Sequence, residues 1–179
     1  QAKMLAKATG AALIEGDESK QPEIASGEIY TQGSSVDVEK WFLNFHLGRL
    51  ASVGPITTNG LVSDMSLQND LVWGRALLKG RDLEEFEAHY KLKTEGAPVP
   101  DTSFLFLLPT SELIRRVRQR AVEEGRNFEA NTSESFIEAI QNSFIANRDA
   151  LAETVHVIDL RDTPTLPRSS VHELVVSRL

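Results

Sequence analysis

Two carboxylates stand at places where an α/β sheet puts chemistry. Glu15 follows the apolar run "AALI" and Asp64 follows "LVS", and open α/β sheets bind ligands beyond the carboxyl ends of their strands. Acids at such ends can hold Mg²⁺ or take a proton from a hydroxyl; each can equally cap the segment that follows it. The loop after "FLFLLP" and the stretch Asp159 to Asp162 after "VHVI" are two further strand ends of this kind. A cationic cluster lies at Arg115, Arg116, Arg118, Arg120 and Arg126. Guanidinium groups suit transferring phosphates, whose charge spreads over the equatorial oxygens; a solvated helix face paired with Glu123 and Glu124 is the other reading. His46, His89, His156 and His172 are scattered without metal-ligand spacing and read as core or surface residues.

These positions depend on the elements between them. "QAKMLAKATG" reads as an amphipathic helix with Met4, Leu5 and Ala8 at helical spacing, broken at Gly10 before a strand Ala11 to Ile14. A domain seldom starts in mid-helix, so the pattern predicts further residues upstream of Gln1. After a polar segment to Ser35 comes a helix from about Val36 to Ala51, with Trp41, Phe42, Phe45 and Leu50 on its apolar side. "GPITTNG" is a turn ahead of a strand Leu61 to Ser63, and "LQNDLVWGRALLKG" and "RDLEEFEAHYKLK" are two helices joined near Gly80. "SFLFLLP" is a nearly continuous apolar run, the pattern of a parallel strand covered on both faces, and Pro109 closes it. Then come a helix capped by Thr110 or Ser111, a helix from about Ser133 to Leu151, a buried strand "TVHVIDL" and a terminal helix capped by Ser169 or Ser170. Helices between buried strands require crossover connections. The expected fold class is therefore α/β, a single domain over residues 1–179 with a three-layer parallel sheet.

Composition narrows the functional classes. The chain is 41% hydrophobic and 25% charged, ordinary for a globular domain. A net charge of -7 argues against nucleic-acid backbone binding, which uses clustered Lys and Arg. With no Cys, there is no disulfide scaffold, thiol nucleophile or Cys-ligated metal. No apolar run approaches the roughly 20 residues of a membrane span.

Taken in order, strand-Glu15, the helix ending "FHLGRL", strand-"SDMS", a helix pair and "VHVIDL" resemble the deoxynucleoside kinases, which have the P-loop NTPase fold. The segment "SFLFLLPTSELIRRVRQRAVEEGRNFEANTSESFIEAI" is similar to the family's strand, helix and Arg-rich lid, the lid falling at about residues 115–131. The resemblance implies roles residue by residue. Glu15 takes the place of the catalytic base toward the sugar hydroxyl. "SDMS" is similar to the family's Asp/Glu-Arg-Ser motif: Asp64 keeps the acid, which would help hold Mg²⁺. The motif's arginine is replaced by Met65, a thioether that cannot supply the same charge-assisted contact. Arg49 resembles the arginine that ends the nucleoside-binding helix, and the base-reading glutamine falls at Phe42 counted back from it, or at His46 aligned on Trp41. In the lid Arg116 and Arg120 match the phosphate-clamping arginines, while a third is Val122 or, with a short insertion, Arg126. The family's N-terminal strand and Gly-rich Walker loop, with its Lys and Ser or Thr, would precede Gln1; these residues hold no such loop.

Two functions follow from the resemblance. One is a degenerate, non-catalytic kinase-like protein serving as a structural or accessory subunit of a larger assembly. Its family precedent is the kinase-like accessory subunit of mitochondrial respiratory complex I, which would imply the matrix side, protein-subunit partners and no cofactor. The other is an active kinase, cytoplasmic if of bacterial type, that moves the γ-phosphoryl of ATP, with Mg²⁺, to a nucleoside sugar hydroxyl. In that reading Glu15, Asp64 and Arg120 are catalytic, and Arg116 and Arg126 close over the phosphates. The resemblance also implies, as another partner, a second copy of the chain joined through the helices flanking Trp41 or Trp73.

Overall fold

The computed structural model describes residues 1–15, 34–53, 60–125 and 129–179. The polar segment before Ser34, most of the "GPITTNG" turn and Arg126 lie outside these residues. In chain order the elements are α1 (Ala2–Thr9), β1 (Ala12–Ile14), α2 (Val36–Ala51), β2 (Leu61–Ser63), α3 (Leu67–Leu77) and α4 (Gly80–Lys93). Then come β3 (Thr102–Leu107), α5 (Thr110–Glu123), α6 (Glu134–Ala146), a 3-10 turn (Arg148–Ala150), β4 (Thr154–Asp159) and α7 (Arg168–Val176).

Local chemistry accounts for most of the boundaries. Gly10 ends α1 in the left-handed region at φ 71°, which costs glycine no Cβ clash. Ser35 and Ser133 cap α2 and α6 by accepting from the Val38 and Phe136 amides. Three expected ends are corrected. Thr110 and Ser111 lie inside α5, which starts after Pro109, and the Glu112 and Leu113 amides donate to the Pro109 carbonyl. Ser169 and Ser170 likewise lie inside α7, which starts after Pro167; proline suits such starts because its ring already holds helical φ. α6 stops at Ala146 rather than Leu151, because Asn147 turns its side-chain amide back to the Ser143 carbonyl at 2.9 Å and accepts from Arg75 at 2.7 Å.

Every strand pairing is parallel, as the crossovers require, but the single three-layer sheet expected from the sequence is not what the described residues form. β1 pairs with β2 and β3 with β4, as two separate two-stranded sheets. Hydrogen-bond phase shows which edges remain. Ala12 N–H donates to the Gly60 carbonyl and Asp64 N–H to the Ile14 carbonyl. Strand backbone alternates, so Leu61 and Ser63 direct their amides and carbonyls away from β1. By the same count, from Thr154 to Asp101 and from Leu160 to Leu107, Thr102, Phe104 and Phe106 face away from β4. All five residues line one cleft of about 880 Å³. This open side also explains why β3, expected to be covered on both faces, is buried only at Leu107.

Two cores flank the cleft. Leu108, Ile158, Leu160, Val171 and Val175 join the β3–β4 pair to α7, with Leu5 of α1 and Leu113 of α5 against them. Leu43, Leu67, Leu78 and Phe86 pack α2, α3 and α4 together. A hydrogen bond from the Ser143 hydroxyl to the Val72 carbonyl and the Arg75–Asn147 contact tie α6 to α3.

Candidate functional site

The cleft gathers part of the constellation read from the sequence. Glu15, His46, Arg49, Asp64 and Met65 all line it. Glu15 sits just past β1, with its carboxylate 2.9 Å from Lys3 Nζ. Arg49, in the last turn of α2, donates to the Glu15 backbone carbonyl, which fixes the end of β1 against the end of that helix. Asp64 is exposed just past β2, and Met65 follows it before Ser66 opens α3. Among the described residues no three His, Cys, Asp or Glu side chains converge as a metal cluster. A Mg²⁺ here would rest on Asp64, with phosphate oxygens and water completing the oxygen shell that this ion prefers.

The other sequence candidates stand elsewhere. Phe42 is not among the cleft's lining residues; it meets Trp41 edge-on at 5.2 Å and stacks on His46 at 6.2 Å. No residue of α5 lines the cleft, so Arg116 and Arg120 do not face it. Arg116 binds Glu112 at 2.7 Å and the Pro164 carbonyl at 3.1 Å. Arg115 grips the same carboxylate at 2.7 and 2.8 Å, and the two guanidinium groups, Arg115 foremost, hold Glu112 down at about 2. Arg120 forms a two-pronged pair at 2.6 and 3.0 Å with Glu129, which is 1% exposed. At the end of β4, Asp159 is occupied by Arg161, whose hydrogen bonds hold that carboxyl at about 2.

Three polar residues at or behind the cleft carried no signal in the sequence. Asp70 on α3, 3% exposed, binds His46 Nδ1 through both oxygens at 2.8 and 3.0 Å. Burial pushes the Asp70 carboxyl up, while the His46 hydrogen bond and charge oppose the rise. Glu39 on α2 is 2% exposed, and burial above all, with a smaller push from Asp70 and an opposing hydrogen bond from Ser34, raises it to about 7. Gln68 lines the cleft while its Oε1, buried, has no partner among the described residues. His46 and Asp70 are 24 residues apart on different helices, and no local period links them.

No protein family matches the sequence, and no curated protein matches it either. Among solved structures, the fold is similar to that of a deoxyadenosine kinase from M. mycoides with bound dCTP, at a TM-score of 0.74. The likeness covers 99% of this chain and 89% of that one, at 15% sequence identity. The chain thus has an α/β, deoxynucleoside-kinase-like fold with parallel strands.

Proposed function

We propose that this fold serves as a nucleoside-binding, kinase-like domain whose phosphoryl-transfer machinery has lapsed, acting as a structural or accessory subunit of a larger assembly. One observation carries the reading. The cleft holds the acids Glu15 and Asp64 but has Met65 where the resemblance implies an arginine, and the α5 arginines are committed to Glu112 and Glu129 outside it. Phosphoryl transfer is mostly electrostatic stabilisation, so a cleft that lacks the cations of the Met65 position and of α5 leaves developing charge unmatched. The complex I accessory subunit is the family precedent for such a role, with protein subunits as partners.

A second reading has its own support in Arg49, which ties the end of α2 to the Glu15 carbonyl and so keeps that acid beside the cleft. Here a strand upstream of Gln1 lies between β2 and β3, and the Gly-rich loop after it cradles the phosphates of ATP. Mg²⁺ rests on Asp64, and Glu15 takes the proton of the sugar hydroxyl. Arg116, Arg120 and Arg126 must then leave their present surroundings to reach the phosphates.

The two readings part in one experiment on the full-length protein with Mg²⁺ present. The first expects calorimetry to detect a deoxynucleoside, and expects no phosphorylated product with ATP. Turnover that falls at least about a hundredfold in Glu15→Gln, with the fold intact, would establish the second instead.

A further inference from the structure

We propose that Lys3 is the resident cation of the two strand-end acids: its ammonium neutralises Glu15 and Asp64 in place of a divalent ion, and the cleft takes its nucleoside without Mg²⁺. This deepens the nucleoside-binding reading above and rests on it. The Lys3 ammonium lies 2.9 Å from Glu15 Oε1. β1 and β2 run parallel with Ile14 opposite Ser63, and the Asp64 amide donates to the Ile14 carbonyl. Glu15 and Asp64 therefore leave neighbouring strand ends, and both line the cleft. Both acids hold the proton on the Lys3 amine: Glu15 foremost, through its hydrogen bond and its charge, and Asp64 through charge alone. One ammonium thus serves two carboxylates.

The helix that delivers Lys3 is anchored. Leu5 packs against the core beneath α7, Ala6 is buried, and the Gln1 side chain donates to the Arg168 carbonyl at 3.3 Å. Lys3 stands at the rim of the cleft: its own side chain is 73% exposed, while Gln1, Ala2 and Leu5 around it line the cavity. Arg49 adds a second positive charge where it holds the Glu15 carbonyl. Two carboxylates then face two cations. That balance leaves no surplus positive charge for a phosphate, and a divalent ion entering it meets an ammonium already in place. Repulsion across about 4 Å of water, doubled by the ion's charge, weakens its binding by about tenfold or more. Among the described residues no third His, Asp or Glu joins the two acids to offset that repulsion. The ligand class that fits is an uncharged nucleoside rather than a metal–nucleotide complex. An ammonium carries three N–H donors, so Lys3 keeps donors beyond the one given to Glu15, and these suit a sugar hydroxyl oxygen.

The test measures Mn²⁺ binding to the full-length protein without nucleotide, by loss of the free-ion paramagnetic resonance signal at low ionic strength, where charge effects are least screened. Lys3→Met keeps an unbranched apolar stem and removes the charge, and at so exposed a position it should leave the fold intact. It is expected to bind Mn²⁺ at least about tenfold more tightly than the wild type. Lys3→Arg should match the wild type, and Asp64→Asn added to Lys3→Met should abolish the gain. Equal Mn²⁺ affinities for the wild type and Lys3→Met overturn the proposal, and so does a gain that survives Asp64→Asn. Calorimetry then compares deoxynucleoside affinity in Mg²⁺ and in a chelator: equal values in the wild type are expected, and tighter binding with Mg²⁺ overturns metal-free binding. If no deoxynucleoside binds, the nucleoside reading fails, while the Mn²⁺ comparison still upholds or overturns the role of Lys3.

Discussion

Glu39 holds its proton up to about pH 7 in the folded chain, while the unfolded chain releases it near the ordinary value of 4.5. Between these values folding takes up a proton, so this residue's contribution to stability falls as pH rises from about 4.5 to 7 and stays at its lower level above. The full change is about 3 kcal/mol. Glu39→Gln keeps the shape and removes the charge. It should raise Tm at pH 8 by roughly 6–12 °C and change it little at pH 5. A gain of equal size at both values would show that the carboxylate is not being strained by burial. Sequence did not mark Glu39: a glutamate in the first turn of a helix reads as a favourable partner of the helix dipole, and only tertiary packing takes it out of water.

Among the elements, α3 and α4 approach each other closely at Gly74. A Cβ added at Gly74 would lie 2.3 Å from Phe86 Cε1 and 2.5 Å from Cδ1, and Phe86 is 0% exposed. Glycine is required there for close approach rather than for a turn. Gly74→Ala should cost about 1–3 kcal/mol through overpacking, read as a lower Tm, and Phe86→Leu in the same chain should recover part of it. Independent, additive losses from the two changes would show that they do not meet. The extents of α2 and β2 were legible because period, cap and turn residues are adjacent in sequence. The end of α6 was not, since Asn147 acts there through Arg75, a residue of another helix.

At the scale of the whole molecule, the two strand pairs present their inner edges to one cleft. Exposed edges are templates for a further strand, and the proposed upstream strand would pair with both. In a longer chain that carries it, the amides of Leu61, Ser63, Phe104 and Phe106 should exchange with deuterium as slowly as those of β4. Fast exchange confined to these four positions would exclude a strand in the cleft and, with it, a cradle for ATP at this place. The sequence by itself determined the alternation of helix and strand, the parallel pairing and the carboxylates at the strand ends, because each of these follows from period and connection length within a few residues. Tertiary structure decided what the side chains face. It turned Arg120 to Glu129, left Met65 at the cleft, and joined His46 to Asp70. These pairings depend on which helix faces lie together, and burial, not spacing, sets how strongly the charges on those faces interact.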